Sequence, residues 1–217
     1  MKSSQYKVDT IPSPINFHDP KAARRWAGEA NRKRPARKEF FKRLSSELSI
    51  GFDRPVTILD IGSGHGFLAE HLLLCCDVQS YTMLDFSEAM HDLARRRLES
   101  FKDMTTFLIR NFKSRGWPAK LGRYDAVVAM QAVHEVRHKL HVPALLGQIR
   151  KLLHPAGRFF ICDHFLEGMK KGNPELYMTV KEQRAVLRKA GFEGVKPLLQ
   201  KGSLALYRAS IEARRIE

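Results

Sequence analysis

Three cysteines in 217 residues, Cys75, Cys76 and Cys162, are too few and too odd in number for a disulfide framework. No two of them stand in a C-x-x-C clip, so they read as reduced core thiols and no metal is expected. The chain has no run approaching the roughly 18 uninterrupted apolar residues of a membrane span. Its first residues, MKSSQYKVD, lack the apolar core of a secretory signal, which points to a cytoplasmic protein without membrane insertion. Internal repeats and low-complexity stretches are also missing, which excludes collagen-like, mucin-like and coiled-coil architectures. What remains is an ordinary globular composition, 43% hydrophobic and 28% charged, in a length that suits one domain with an appendage.

Acidic residues are in short supply. Lys and Arg number 38 against 23 Asp and Glu, a formal charge of +15, which raises nucleic acid, anionic lipid or an anionic small molecule as partners. The excess is densest in residues 1–50, with twelve basic and five acidic side chains. Its centre, KAARRWAGEANRKRPARKEFFKRL, interleaves the charges with Trp26, Phe40 and Phe41 at helical spacing. An amphipathic helix pair with a solvated basic face is the favoured reading, and nucleic-acid contact the lesser one.

Residues 1–18 read as irregular. Asp19 followed by Pro20 forms an N-cap with proline at the first helical position, Pro35 interrupts the helix, and a second helix ends near Gly51. From there short apolar runs alternate with amphipathic segments: VTILDI at 56–61, YTMLD at 81–85, TTFLI at 105–109, YDAVVAM at 124–130 and RFFICD at 158–163. Helices are expected over 87–101 and 143–153. This rhythm implies a parallel sheet with helices on both faces. Thr179 and Glu182 fit a capping box for a late helix that ends at Gly191. The runs VKPLL and LALYRAS follow, joined by a link too short for a crossover helix, so they form an antiparallel hairpin at a sheet edge.

The sharpest signal is ILDIGSGHGFLAEHLL, a strand, a glycine-rich turn and a helix, which places backbone N–H groups against a ligand at the strand's carboxyl end. A dinucleotide fingerprint needs a third glycine at 67, where this chain has Phe67. The glycines are Gly62, Gly64 and Gly66 instead. Asp60, two residues before Gly62, would repel a pyrophosphate but suits a ligand carrying an ammonium and a sulfonium, which favours S-adenosylmethionine. Asp85 ends the next strand, where an acid reaches ribose hydroxyls; alone it fits either nucleotide.

Together ILDIGSGHG, YTMLDFSEAM, YDAVVAMQAVHEV and RKAGFEGV resemble the ordered motifs of class I S-adenosylmethionine-dependent methyltransferases over residues 54–210. The nearest resemblance is to the small bacterial enzymes related to the ubiquinone and menaquinone methyltransferases. It implies a Rossmann-like α/β fold: a seven-stranded, mostly parallel sheet with its last strand antiparallel, in a domain at 51–217 behind an N-terminal helical cap at 1–50. It also implies that Asp60 and the turn Gly62, Ser63, Gly64 and Gly66 hold the methionine moiety, that Asp85 holds the ribose and that Phe86 covers the adenine. The family's acid near the adenine amino group corresponds here to Asn111, followed by Phe112, and an amide oxygen can accept from that group. Removing the cap is expected to leave a folded sheet with weakened binding.

After the fourth strand, QAVHEVRH contains His134, Glu135 and His138 in the spacing H-E-x-x-H of zinc proteases, but a strand ends just before it, whereas that site needs a long helix and a third ligand. The resemblance predicts a histidine at or near 134 facing the donor methyl and the acceptor. Asp163 and His164, at the end of the fifth strand, share the rim with Gln131 and His134. His134 is the first choice for a base, with Asp163 or His164 orienting it. A small-molecule acceptor leads. The other classes are an RNA or protein methyltransferase using the basic N-terminus, and a cofactor-binding protein without chemistry.

Overall fold

The computed structural model describes residues 10–211, so the irregular reading of residues 1–9 lies outside the described part. Two helices come first, α1 (Pro20–Lys33) and α2 (Arg37–Gly51). The Asp19 carboxylate accepts from the backbone N–H groups of Lys21 and Ala22, and Pro20 takes the first turn, where a missing N–H breaks no helical bond. Pro35 lies in the break between the helices, since its ring cannot follow a continuous helical turn.

Seven strands follow: β1 (Val56–Ile61), β2 (Val78–Asp85), β3 (Thr105–Ile109), β4 (Tyr124–Met130), β5 (Leu153–His164), β6 (Glu193–Lys201) and β7 (Leu204–Ser210). Between them lie α3 (Phe67–Cys75), α4 (Glu88–Arg97), α5 (Val142–Lys151) and α6 (Val180–Lys189). The sheet order is β3-β2-β1-β4-β5-β7-β6, with β7 antiparallel to both neighbours and β6 at the edge. This is the expected seven-stranded Rossmann-like arrangement with its hairpin. Three boundaries differ from the sequence reading. β2 begins at Val78 because Val56 pairs with it ahead of a register shift, and β5 begins at Leu153 because that residue pairs with Tyr124. α4 stops at Arg97 and continues as a tighter turn over Glu99–Met104.

Side chains alternate across the central strands, so each face of the sheet has its own core. Leu59, Val127, Phe159 and Tyr207 pack beneath α5 and α6, while Ile58, Val128 and Phe160 pack with α3. Phe40, Leu44 and Leu48 of α2 belong to this second core and are almost fully buried. Glu47 accepts from Arg208 of β7 at 2.9 Å, and its backbone carbonyl accepts from Arg158 of β5. α2 therefore packs into the core of the sheet across the expected boundary at Gly51. Among the described residues no helix is long and apolar enough to cross a membrane.

Removing residues 1–50 thus strips a wall from the sheet, and the truncated chain should lose its cooperative thermal transition. Leu44→Ala in the full chain should cost about 2–5 kcal/mol in denaturant unfolding; a cost near zero would contradict the shared core.

Candidate active site at the carboxyl edge of the sheet

The strand order reverses between β1 and β4, and the crevice outside their carboxyl ends is where α/β sheets of this kind accept ligands. A cavity lies there. Asp60, Gly62 and Ser63 of the first crossover line it, with Asp85 and Phe86 at the end of β2, Phe112 after β3, and Gln131, His134 and Glu135 after β4.

The glycine turn differs from its sequence reading in one respect. Gly62 and Ser63 donate their N–H groups to the Leu84 carbonyl, and Gly64 donates to Asp85 Oδ2 at 2.8 Å. These donors are spent on β2 and do not face a ligand, so an anionic pyrophosphate would find no cradle. The glycines serve close approach instead. A Cβ on Gly62, whose φ is +66°, would stand 2.5 Å from the Ala132 Cβ, and one on Gly66 would press on Ala94 of α4.

Asp60 is buried and accepts from the Tyr81 hydroxyl at 2.9 Å. Burial pushes its carboxyl up to about 7, opposed by the Tyr81 hydrogen bond and by the charge of Arg37. Asp85 is also buried and raised by burial. It accepts from the Gly64 and Ser87 backbone N–H groups, one on each oxygen, which leaves further lone pairs for hydroxyl donors. Phe86 and Phe112 line the cavity as expected. Asn111, expected near the adenine, does not: it is exposed, outside the lining, and its Oδ1 accepts from the Lys113 N–H.

The histidine cluster divides in two. Asp163, buried at the end of β5, accepts from the His134 backbone N–H at 2.9 Å and from the His164 backbone N–H at 2.7 Å. His134 Nδ1 lies 2.7 Å from Asp163 Oδ1, and Nε2 lies 3.4 Å from Glu135 Oε1. Burial alone would push this imidazole down, but the two carboxylates hold it up at about 10. Burial dominates at His164 and pushes it down to about 4, so it stays neutral. Its Nε2 is 3.0 Å from the Gln131 amide nitrogen, and its Nδ1 is 2.8 Å from Ser203 Oγ. With Gln131 donating to Nε2, both ring nitrogens are engaged, and His164, which lines the cavity, holds the Gln131 amide.

His138 leaves the cluster altogether. The residues Val133–Val136 form a short 3-10 turn, and Arg137 at φ +66° reverses the chain, so the H-E-x-x-H spacing never lies on one helix. His138 instead accepts from the Leu140 N–H, with its ring beside His141. Among the described residues no group of three or more His, Cys, Asp or Glu is placed to hold a metal.

An N-terminal strap closes the cavity. Arg137 donates to the Ile11 and Pro12 carbonyls, and Ser87 Oγ donates to the Phe17 carbonyl. Phe17 and Trp26 meet edge-on at 5.6 Å, and both line the cavity with Arg34, Arg37 and Tyr177.

Residues 58–157 match a family model described as a methyltransferase domain. The chain is thus similar to methyltransferase domains over just under half of its length. Its fold and turn are those of the class I type, whose cofactor is S-adenosylmethionine. The non-reducing polyketide synthase prhL of Penicillium brasilianum is 29% identical over 127 residues, 55% of this chain, and the chain spans only 5% of its length. An O-methyltransferase family protein from Burkholderia thailandensis superposes with a TM-score of 0.75 at 17% identity, over 92% of this chain and 62% of its own. The 1,6-didemethyltoxoflavin-N1-methyltransferase of the same organism, solved with its substrate and S-adenosylhomocysteine, gives a TM-score of 0.59 at 19% identity over 98% of both chains.

The residues of the cavity fit such a cofactor. The cavity offers one acid for a cation, one with free lone pairs, and aromatic walls at Phe86 and Phe112. Sequence reasoning missed Tyr177, whose ring is 5.6 Å from His134, because nothing periodic marks the irregular segment after β5. It also read Arg34 and Arg37 as part of a solvated face, although Arg37 is buried.

The His134 pair has a consequence for stability. A histidine held above its ordinary value of 6.5 stabilises the fold fully below that pH, and the contribution fades as pH rises through about 10. His134→Gln should lower the melting temperature most at about pH 6, with the gap to wild type closing towards about pH 10. A gap independent of pH would refute the ion pair.

Proposed function

We propose that the chain transfers a methyl group from S-adenosylmethionine to a small-molecule acceptor, with His134 as the group that handles the acceptor's proton. S-adenosylmethionine supplies an electrophilic methyl on a sulfonium. The supporting observation is that His134, held from behind by Asp163, lines one cavity with Asp60 and Asp85. Asp60 faces the ligand's cationic end, Asp85 takes the ribose hydroxyls, and Phe86 and Phe112 enclose the adenine. Gln131, fixed by His164, lines the boundary between cofactor and acceptor.

Asp163 fixes the ring orientation of His134 by bonding both its Nδ1 and its backbone N–H, and Nε2, 3.4 Å from Glu135 Oε1, is the nitrogen an acceptor would share with Glu135. At rest the imidazole is protonated. A sulfonium confined in the same cavity repels that charge, favours the neutral ring, and so readies Nε2 to accept a proton from an oxygen, nitrogen or activated carbon nucleophile. The strap and Trp26 cover part of this space, which limits the access of water to the transferring methyl.

Small molecules fit the enclosed cavity better than a polymer does. The structurally similar toxoflavin enzyme acts on a small heterocycle, and the matching synthase makes polyketides. Kinship with the ubiquinone and menaquinone methyltransferases rests on the order of the motifs. A cytoplasmic location suits the free thiols of Cys75, Cys76 and Cys162.

Calorimetric titration tests the reading without an acceptor. Saturable binding of S-adenosylmethionine and S-adenosylhomocysteine, absent for NAD, is expected. Asp85→Asn should weaken both by about tenfold to a hundredfold through the lost charge on the hydroxyl acceptor. The ratio of affinities, sulfonium over thioether, should rise with pH as His134 loses its proton, and should become flat in His134→Gln. Asp60 acts alike on both ligands through their shared ammonium. Binding of NAD in preference to both sulfur nucleosides would overturn the proposal.

A further inference from the structure

Among the described residues, two guanidinium groups of the cavity form no ion pair with a carboxylate, and the buried Asp60 acts on one of them only through its field. Arg37, the first residue of α2, is only 6% exposed, and its Nε and Nη1 are buried without a hydrogen-bond partner among the described residues. Arg34, three residues earlier, lies over the Trp26 ring at 5.6 Å and forms no ion pair with any described carboxylate. Both line the cavity.

The carboxylates nearby are committed elsewhere. Asp60 bonds Tyr81, Asp85 bonds two backbone N–H groups, Asp163 bonds His134 and His164, and Glu135 pairs with His134 and Arg137. Leaving a buried arginine unpaired is costly, and a second one beside it adds like-charge repulsion. Burial, then Arg34, pulls the Arg37 guanidinium down to about 10. Such an arrangement is stabilised when an anion enters, and planar guanidinium groups match the two oxygens of a carboxylate.

We propose that Arg34 and Arg37 form an oxyanion subsite that binds a carboxylate. The inference rests on the reading of the cavity as a methyl-transfer site. Two carboxylates can supply the anion: one on the acceptor, or the amino-acid end of the cofactor. The charge of Arg34 reaches Tyr177 and His164, on the acceptor side, whereas the field of Asp60 reaches Arg37 on the cofactor side.

The test uses full-length wild type, Arg34→Gln, Arg37→Gln and the two Arg→Lys variants, with thermal unfolding to confirm folding. Each is titrated with S-adenosylhomocysteine and with 5′-methylthioadenosine, the same nucleoside thioether without the amino acid. Each is also titrated with benzoate and its neutral counterpart benzamide, with and without saturating S-adenosylhomocysteine. At least one Gln variant should lose about tenfold or more in affinity for a carboxylate ligand, with its neutral counterpart unchanged and lysine restoring part of the loss. Loss confined to S-adenosylhomocysteine assigns the subsite to the cofactor, and loss confined to benzoate assigns it to the acceptor. Equal loss for charged and neutral ligands, or affinities within about twofold of wild type for all four, would overturn the subsite. Should Arg37→Gln fail to fold, Arg34→Gln at the half-buried neighbour carries the same comparison. Failure of wild type to bind either nucleoside would instead overturn the methyl-transfer reading, and the benzoate comparison on the free protein would still decide the subsite.

Discussion

The carboxylate of Asp163 organises the transfer end of the cavity. Fixed at the tip of β5, it receives hydrogen bonds from the backbone of His134 and of His164 and from the His134 ring. These bonds tie the loop after β4 to the end of β5, two strands that already pair in register up to Met130 and Cys162. A buried carboxylate so surrounded stays ionised despite its burial, because the imidazolium beside it offsets the loss of water. Without Asp163 the His134 ring would lose its orientation and its charge, and the loop would lose its anchor.

The same electrostatics connect distant parts of the chain. A basic protein could place its excess entirely on solvated helix faces, and much of α1 does so, with Lys21, Arg24, Arg25, Arg32 and Lys33 exposed. Arg34, Arg37 and Arg137 instead turn inward to the cavity. Arg137 is satisfied by Glu135 and by the strap at Ile11 and Pro12. The other two line the cavity without an ion pair among the described residues. Charge in this protein therefore lines the cavity as well as its surface.

The order of the strands was legible because β-branched runs of five to seven residues are bounded by glycines and amphipathic segments, and Asp19 and Thr179 advertised their helices through capping chemistry that the structure reproduces. Asp60 and Asp85 were legible because each sits at a fixed offset from the glycine turn. What escaped were features set by tertiary contact. Spacing could not reveal that Arg137 takes a left-handed conformation and sends His138 away, that the N–H groups of the glycine turn bond β2, or that Asn111 folds back on Lys113. Nor could it show that α2 shares the core of the sheet, because an amphipathic helix looks the same whether it caps a domain or completes one.

A crystal structure of the complex with S-adenosylhomocysteine tests the central claim most directly, namely that one cavity joins the cofactor to the His134 and Asp163 pair. The ribose hydroxyls should lie on Asp85, the purine against Phe86 and Phe112, and the sulfur should face the side of the cavity that holds His134. Density for the nucleoside over Tyr177 and His164, or outside the crevice between β1 and β4, would contradict it.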